Sequence, residues 1–232
     1  MKIKIDKFFL LIAIYMMISY SEETIMPPES LPGSDYFRLE KGFYKTYDVE
    51  LITFTLVESD TTKFQLHEIV VDSFINGENE ITHILHRFIR PDDLSQWKLD
   101  SVWTARKTRT TALVVENNVP IVKMAFPVSV DIEWDGNAFS SLDEQLFHYI
   151  NISAPLSQSG LEFDNTVTVV QSDFANNLIF RDERSEIYAA GVGMVTKDFT
   201  VLNFCARPDC LGQDIIESGR IEKMKLIAYG KE

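Results

Sequence analysis

From residue 36 onward, apolar side chains recur at every second position in short runs, and most runs end at a turn-forming pair. Residues 161–169 show the pattern most cleanly. Leu161, Phe163, Val167 and Val169 fall on one parity, and Glu162, Asp164, Thr166 and Thr168 on the other. Successive strand residues point to opposite faces, so such a run is a strand with one greasy side and one wet side. Residues 119–128 behave alike, with Val122, Met124, Phe126 and Val128 on one face. Residues 145–153 place Leu146, His148, Ile150 and Ile152 together. Residues 64–75 and 80–90 flank Asn76-Gly77, a tight-hairpin signal. Residues 99–109 and 111–117 read as another hairpin, Gly136-Asn137 and Asn176-Asn177 as turns, and Gly191 as the break between runs 178–190 and 192–204. A last run covers residues 220–229. In residues 43–57 the apolar parity switches from odd to even, which predicts a bulge near Leu51. No segment carries a convincing period of 3.6; the best helix candidate is residues 141–147.

About ten to twelve strands joined by local turns predict an all-β chain. The expected architecture is an antiparallel meander forming a strongly curved or barrel-like sheet, with a β-sandwich as the alternative. Closure, full or partial, limits the exposed edges such a sheet presents. At 232 residues, 45% hydrophobic and 12% aromatic, the chain suffices for one large core.

The N-terminus reads as an export signal. Lys2, Lys4 and Lys7 precede an apolar run from Phe8 to Ser19, too short for a comfortable membrane span, and the chain turns polar at Ser21. The expected division is a signal peptide over residues 1–19, a Pro-rich tether over 20–35 and one β domain over 36–232. The formal net charge of -13 moves to near -15 without residues 1–19. A surface this acidic repels phosphates and argues against nucleic acid as a partner. Cys205 and Cys210, with Pro208 between them, read as a small disulfide-closed loop in an oxidising compartment.

The chemistry-bearing residues are sparse. His83 and His86 are three apart on a strand and face opposite sides, and His67 and His148 stand alone. No His-Glu-x-x-His, Gly-x-Ser-x-Gly or Ser-x-x-Lys pattern occurs. Asp131, Glu133 and Asp135 alternate before Gly136, like the opening of a calcium loop, but Leu142 stands where the bidentate glutamate belongs. The competing reading is a strand with a charged outer face. Arg106, Lys107 and Arg109 form a basic cluster, readable as a guarded edge strand or as a contact for an anionic head group.

Several segments resemble a group of uncharacterised exported lipoproteins from Bacteroidota: Tyr36-Phe-Arg-Leu-Glu-Lys-Gly-Phe-Tyr44, Asp100-Ser-Val-Trp-Thr-Ala-Arg106, Trp134-Asp-Gly-Asn-Ala-Phe139, Tyr188-Ala-Ala-Gly-Val-Gly-Met194, Ile216-Glu-Ser-Gly219 and Tyr229-Gly-Lys-Glu232. The resemblance implies a secreted, outer-envelope β-protein and supplies no catalytic residues. The chain departs from that group at Tyr20, where the lipidated cysteine belongs. The Tyr-x-x-Gly-x-Gly strand pair is also similar to envelope half-barrels that carry lipidated proteins. The expectation is a non-enzymatic, exported cell-envelope protein, membrane-peripheral at most, that binds a lipid or other hydrophobic ligand, or an envelope partner, through its curved sheet. An envelope hydrolase using dispersed carboxylates or His148, and an extracellular protein-interaction module, are the alternatives.

Overall fold

The computed structural model describes residues 31–174 and 178–232. The expected signal peptide, the first part of the tether and the Asn176-Asn177 turn lie outside the described residues. Twelve antiparallel strands form one sheet: β1 (Phe43–Phe54), β2 (Ser59–Ile75), β3 (Ile81–Arg90), β4 (Lys98–Lys107), β5 (Thr111–Glu116), β6 (Val119–Ala125), β7 (Glu133–Asp135), β8 (Leu146–Gln158), β9 (Leu161–Phe174), β10 (Phe180–Ala189), β11 (Gly193–Phe204) and β12 (Ile216–Lys231). Their spatial order is β6-β5-β4-β3-β2-β1-β12-β11-β10-β9-β8-β7. Every pair of sheet neighbours is therefore adjacent in sequence except β1 and β12, which join the two halves; β6 and β7, adjacent in sequence, stand at the two ends of the order, where the sheet nearly closes. The meander is barrel-like, and the sandwich alternative does not apply. Apart from a 3-10 turn at Ser34–Tyr36, the described residues contain no helix, and residues 141–147 are loop and strand.

Bulges give the sheet its curvature. The pairing leaves Lys123 unopposed on β6, Val195 on β11 and Ile227 on β12. The bulge predicted near Leu51 does not exist; Leu51 and Ile52 pair in continuous register with Glu222 and Ile221. The parity switch in β1 arises because Ile52 and Phe54 are half-buried on the outer face, while Phe43, Tyr47 and Val49 stay inward. In β8 the inward residues are Phe147 and Tyr149, and the Leu146/Ile150 parity faces out. The Asn76-Gly77 hairpin forms with a longer connection than a two-residue turn. Asn76 Oδ1 accepts from the Glu78 and Glu80 amides at 3.0 and 2.9 Å, and Asn79 takes the left-handed conformation.

The β6–β7 seam is closed mostly by side chains. One backbone bond crosses it, Val122 N–H to Gly136 O at 2.8 Å. Trp134 Nε1 then donates to Val122 O at 2.8 Å. The Tyr149 hydroxyl donates to Ala125 O at 2.7 Å and accepts from Ala125 N–H at 2.9 Å, as a strand residue would. Trp134 and Tyr149 rings lie 4.5 Å apart. Gly136 is obligatory at this seam, since a Cβ there would sit 2.3 Å from the Phe147 ring.

The mouth beside Gly191 is covered by the N-terminal segment, docked from Leu31 rather than from the expected tether boundary at residue 36. Leu31, Tyr36, Phe37 and Leu39 pack on the core. Val128 N–H donates to Pro32 O at 3.0 Å, Gly191 N–H to Asp35 O at 2.9 Å, and Lys107 Nζ to the carbonyls of Ser34 and Phe37. A Cβ on Gly33 would collide with Val128, and its left-handed φ of 85° also favours glycine.

Tyr149→Phe removes the hydroxyl and leaves both backbone groups of Ala125 without their partner. The expected loss is about 2–4 kcal/mol, from the cost of orphaning buried polar groups. Urea unfolding measures it, and amide exchange should show faster opening at Ala125.

Candidate functional site

Charged residues turn inward on neighbouring strands: Lys45 on β1, Glu68 on β2, Arg87 on β3, Glu116 on β5, Lys123 on β6, Glu186 on β10, Lys197 on β11 and Glu222 on β12. They form a balanced set of ion pairs inside the barrel. Lys45 Nζ lies 2.9 Å from Glu68 Oε1, and Arg87 Nε lies 3.4 Å from Glu68 Oε2. Lys123 Nζ bridges Glu116 at 2.7 Å and Glu186 at 2.8 Å; Lys197 Nζ lies 2.9 Å from Glu222. The bulge at Lys123 lets that side chain turn inward although Val122 and Met124 are also buried. Glu186 is 1% exposed and accepts a second bond from the Tyr188 hydroxyl at 2.6 Å. The Arg87 guanidinium stacks on Trp103, 3.5 Å from the ring centroid.

Two apolar clusters flank this layer. One gathers Leu85, Val114, Met124, Phe147, Tyr149 and Val167; the other gathers Phe43, Tyr47, Leu66, Phe163, Met224 and Leu226. Between them lies a cavity of about 60 Å3, walled by the ion pairs with Phe37, Arg38, Trp103 and Met194. Pockets for small organic ligands run to roughly 300–1,000 Å3. This interior cavity is smaller than that range.

Burial opposes ionisation throughout this layer, and pairing reverses it. Burial alone would push the Glu68 carboxyl up, but Lys45 and then Arg87 hold it below the ordinary 4.5. Burial likewise opposes Glu116 ionisation, yet Lys123 and Lys197 bring it down. The ammoniums of Lys45 and Lys123 are disfavoured by burial but held above the ordinary 10.5, by Glu68 and by Glu116 with Glu186. Burial raises the Tyr47 and Tyr188 hydroxyls, which stay protonated.

The residues singled out from sequence lie elsewhere. Asp135 Oδ1 accepts from the Asn137 and Gln145 amides, both at 2.9 Å, which commits it to the turn. Asp131 and Glu133 are exposed, and no three His, Cys, Asp or Glu residues among the described ones gather to hold a metal. Glu133 stands opposite His148 in the β7–β8 register on the outer face, with no hydrogen bond between them. His67 shares a hydrogen bond of 2.9 Å with Thr46 and lies among Tyr44, Phe88 and Trp97 on the outer wall. His83 is half-buried, and His86 meets the edge of Phe88. The basic cluster disperses: Arg106 pairs with Glu78 and Glu80, and Lys107 fastens the N-terminal segment. Cys205 and Cys210 form the disulfide.

On the outside, the end of the sheet farthest from the N-terminal segment carries an apolar patch. Phe174 and Leu178 flank the β9–β10 connection; Leu211 and Ile215 lie in the β11–β12 connection, and each is 46–63% exposed. Phe204 N–H donates to Ile179 O and Cys205 N–H to Ile215 O, both at 2.8 Å, beside the disulfide.

The chain matches no family model and no curated protein. Among solved structures it is similar to a candidate exported protein with a YmcC-like fold from Bacteroides fragilis, at TM-score 0.45 and 10% identity, covering 84% of this chain and 98% of that one. A candidate lipoprotein from Parabacteroides distasonis is similar at TM-score 0.45 and 7% identity, covering 87% and 100%.

The ion-pair layer fixes how stability depends on pH. A carboxyl held low contributes stability that is complete above its unfolded value and lost as pH falls through the depressed one. Glu68 and Glu116 therefore unload below 4.5. His67 and His83, lowered by burial, begin a smaller loss below 6.5. Groups held high, Lys45, Lys123, Tyr47 and Tyr188, contribute fully below their ordinary values of 10.5 or 10.0 and fail only as pH climbs beyond. Unfolding free energy should be flat from about pH 7 to about pH 10 and fall on both sides. Denaturant titrations across pH check this.

Lys123→Met should cost about 3–5 kcal/mol, because Glu116 and Glu186 are left buried without their cation. Adding Glu186→Gln should return part of that loss, which equilibrium unfolding of the single and double variants measures.

Proposed function

We propose that this chain is a non-enzymatic protein of the cell envelope that acts by docking an envelope partner on the outside of its barrel. The observation that carries the reading is the interior: a wall of paired charges around about 60 Å3 is small and polar, which favours the outer surface over an enclosed hydrophobic cargo. Recognition of anything larger than a small ion is then a property of the outer surface. The patch of Phe174, Leu178, Leu211 and Ile215 is the best surface for it. It is apolar, and backbone bonds at Ile179 and Ile215 and the disulfide hold residues beside it. The export signal read in residues 1–19 and the resemblance to exported lipoproteins supply the compartment in this reading.

A photo-cross-linking residue at Leu178 or Leu211, in cells that produce the protein, should give one discrete adduct that the same residue at Glu50 on the outer wall does not give. Native mass spectrometry of the purified protein should show the bare chain mass. A lipid adduct that leaves only on unfolding, or no discrete cross-link at the patch, contradicts the reading.

A further inference from the structure

The interior cavity is walled by charged side chains. Five cations line it, Arg38, Lys45, Arg87, Lys123 and Lys197, against three carboxylates, Glu68, Glu116 and Glu186. The carboxylates that balance Arg38 and Lys197 are Glu40 and Glu222, and these stand outside the cavity wall.

Two donors in that wall lack acceptors. The Arg87 side chain is 13% exposed, and its Nε, buried, comes no nearer than 3.4 Å to Glu68 and makes no hydrogen bond. Beneath it, the Trp103 Nε1 is also buried and without a partner. Buried donors are almost always satisfied, because leaving them bare forfeits their hydration. Two unsatisfied donors on stacked side chains in the wall of one small cavity have the chemistry of an anion receptor.

We propose that this cavity binds a small monovalent anion, a halide or a one- or two-carbon carboxylate, between the Arg87 guanidinium and the Trp103 indole N–H. The size of the space admits an ion or a few waters and no more. Glu68 and Glu186 in the same wall repel a second negative charge, so a phosphate dianion is rejected on both size and charge. The anion completes the hydrogen bonding of Arg87 and ties β3 and β4 to the interior network. This site goes beyond the docking reading, since it lies inside the barrel and away from the apolar patch.

The test is bromide anomalous diffraction from crystals of the purified chain, with thermal-shift titrations by bromide, formate and phosphate at constant ionic strength. An anomalous peak in the cavity, within hydrogen-bonding distance of Trp103 Nε1 and Arg87, is the expected result. Bromide and formate should raise the melting temperature with saturation, and phosphate should not. Trp103→Phe keeps an aromatic ring under Arg87 but removes the donor, and should weaken half-saturation by about tenfold, the scale of one hydrogen bond to a charged group. Bromide peaks confined to the outer surface, or a folded Trp103→Phe protein with unchanged half-saturation, overturn the proposal. Should Trp103→Phe fail to fold, the diffraction result on the native chain decides alone.

Discussion

Lys123 joining Glu116 to Glu186 across the barrel interior is the contact on which the rest of the structure turns. Its Nζ lies within 2.8 Å of both carboxylates, and one of them is 1% exposed. An ion pair this deep carries a desolvation penalty close to its Coulombic gain, so it adds little net stability by itself. Its consequence is geometric. Neither charge can remain if the other moves, so β6 and β10, on opposite sides of the sheet, are locked to one separation. The pairs Lys45–Glu68 and Lys197–Glu222 do the same between neighbouring strands. A sheet held this way cannot open to take in a greasy cargo without exposing unpaired charge to it.

Closure follows the same logic by a different chemistry. One backbone hydrogen bond crosses from β6 to Gly136, the residue after β7, too few for a strand pair. Trp134 and Tyr149 supply the missing donors and acceptors from side chains whose rings are buried. The barrel is therefore sealed by groups that belong to its core, and the seam and the interior rise or fall together. The N-terminal segment covers one mouth and is fastened by Lys107, whose charge would otherwise be read as surface protection.

The meander was legible in the sequence because turns and apolar runs mark the strands: β9 and the β4–β5 hairpin form where expected and Gly191 marks a true connection, although Thr166 and Thr168, on the expected wet side of β9, are buried. The charged interior was not read, although a signal for it exists. Lys45 shares parity with Phe43, Tyr47 and Val49; Glu68 with Phe64, Leu66 and Val70; Arg87 with Leu85 and Ile89. A lone charge on an apolar parity looks like a strand end or an edge device. The same anomaly on several neighbouring strands at matching height is a layer. Lys123 was beyond reach of parity alone, because only the bulge turns it inward. Asp131, Glu133 and Asp135 drew attention by spacing, but the Asp135 carboxylate serves its own turn.

The central claim is that Lys45 and Lys123 are permanently charged members of a buried, paired layer. Side-chain NMR of the lysine Cε and Nζ nuclei, followed as pH is raised, tests it most directly. The account predicts that Lys45 and Lys123 retain protected ammonium signals while exposed lysines such as Lys63 titrate. Lysine signals that all titrate together near the ordinary value, with no protected ammonium at neutral pH, would contradict it.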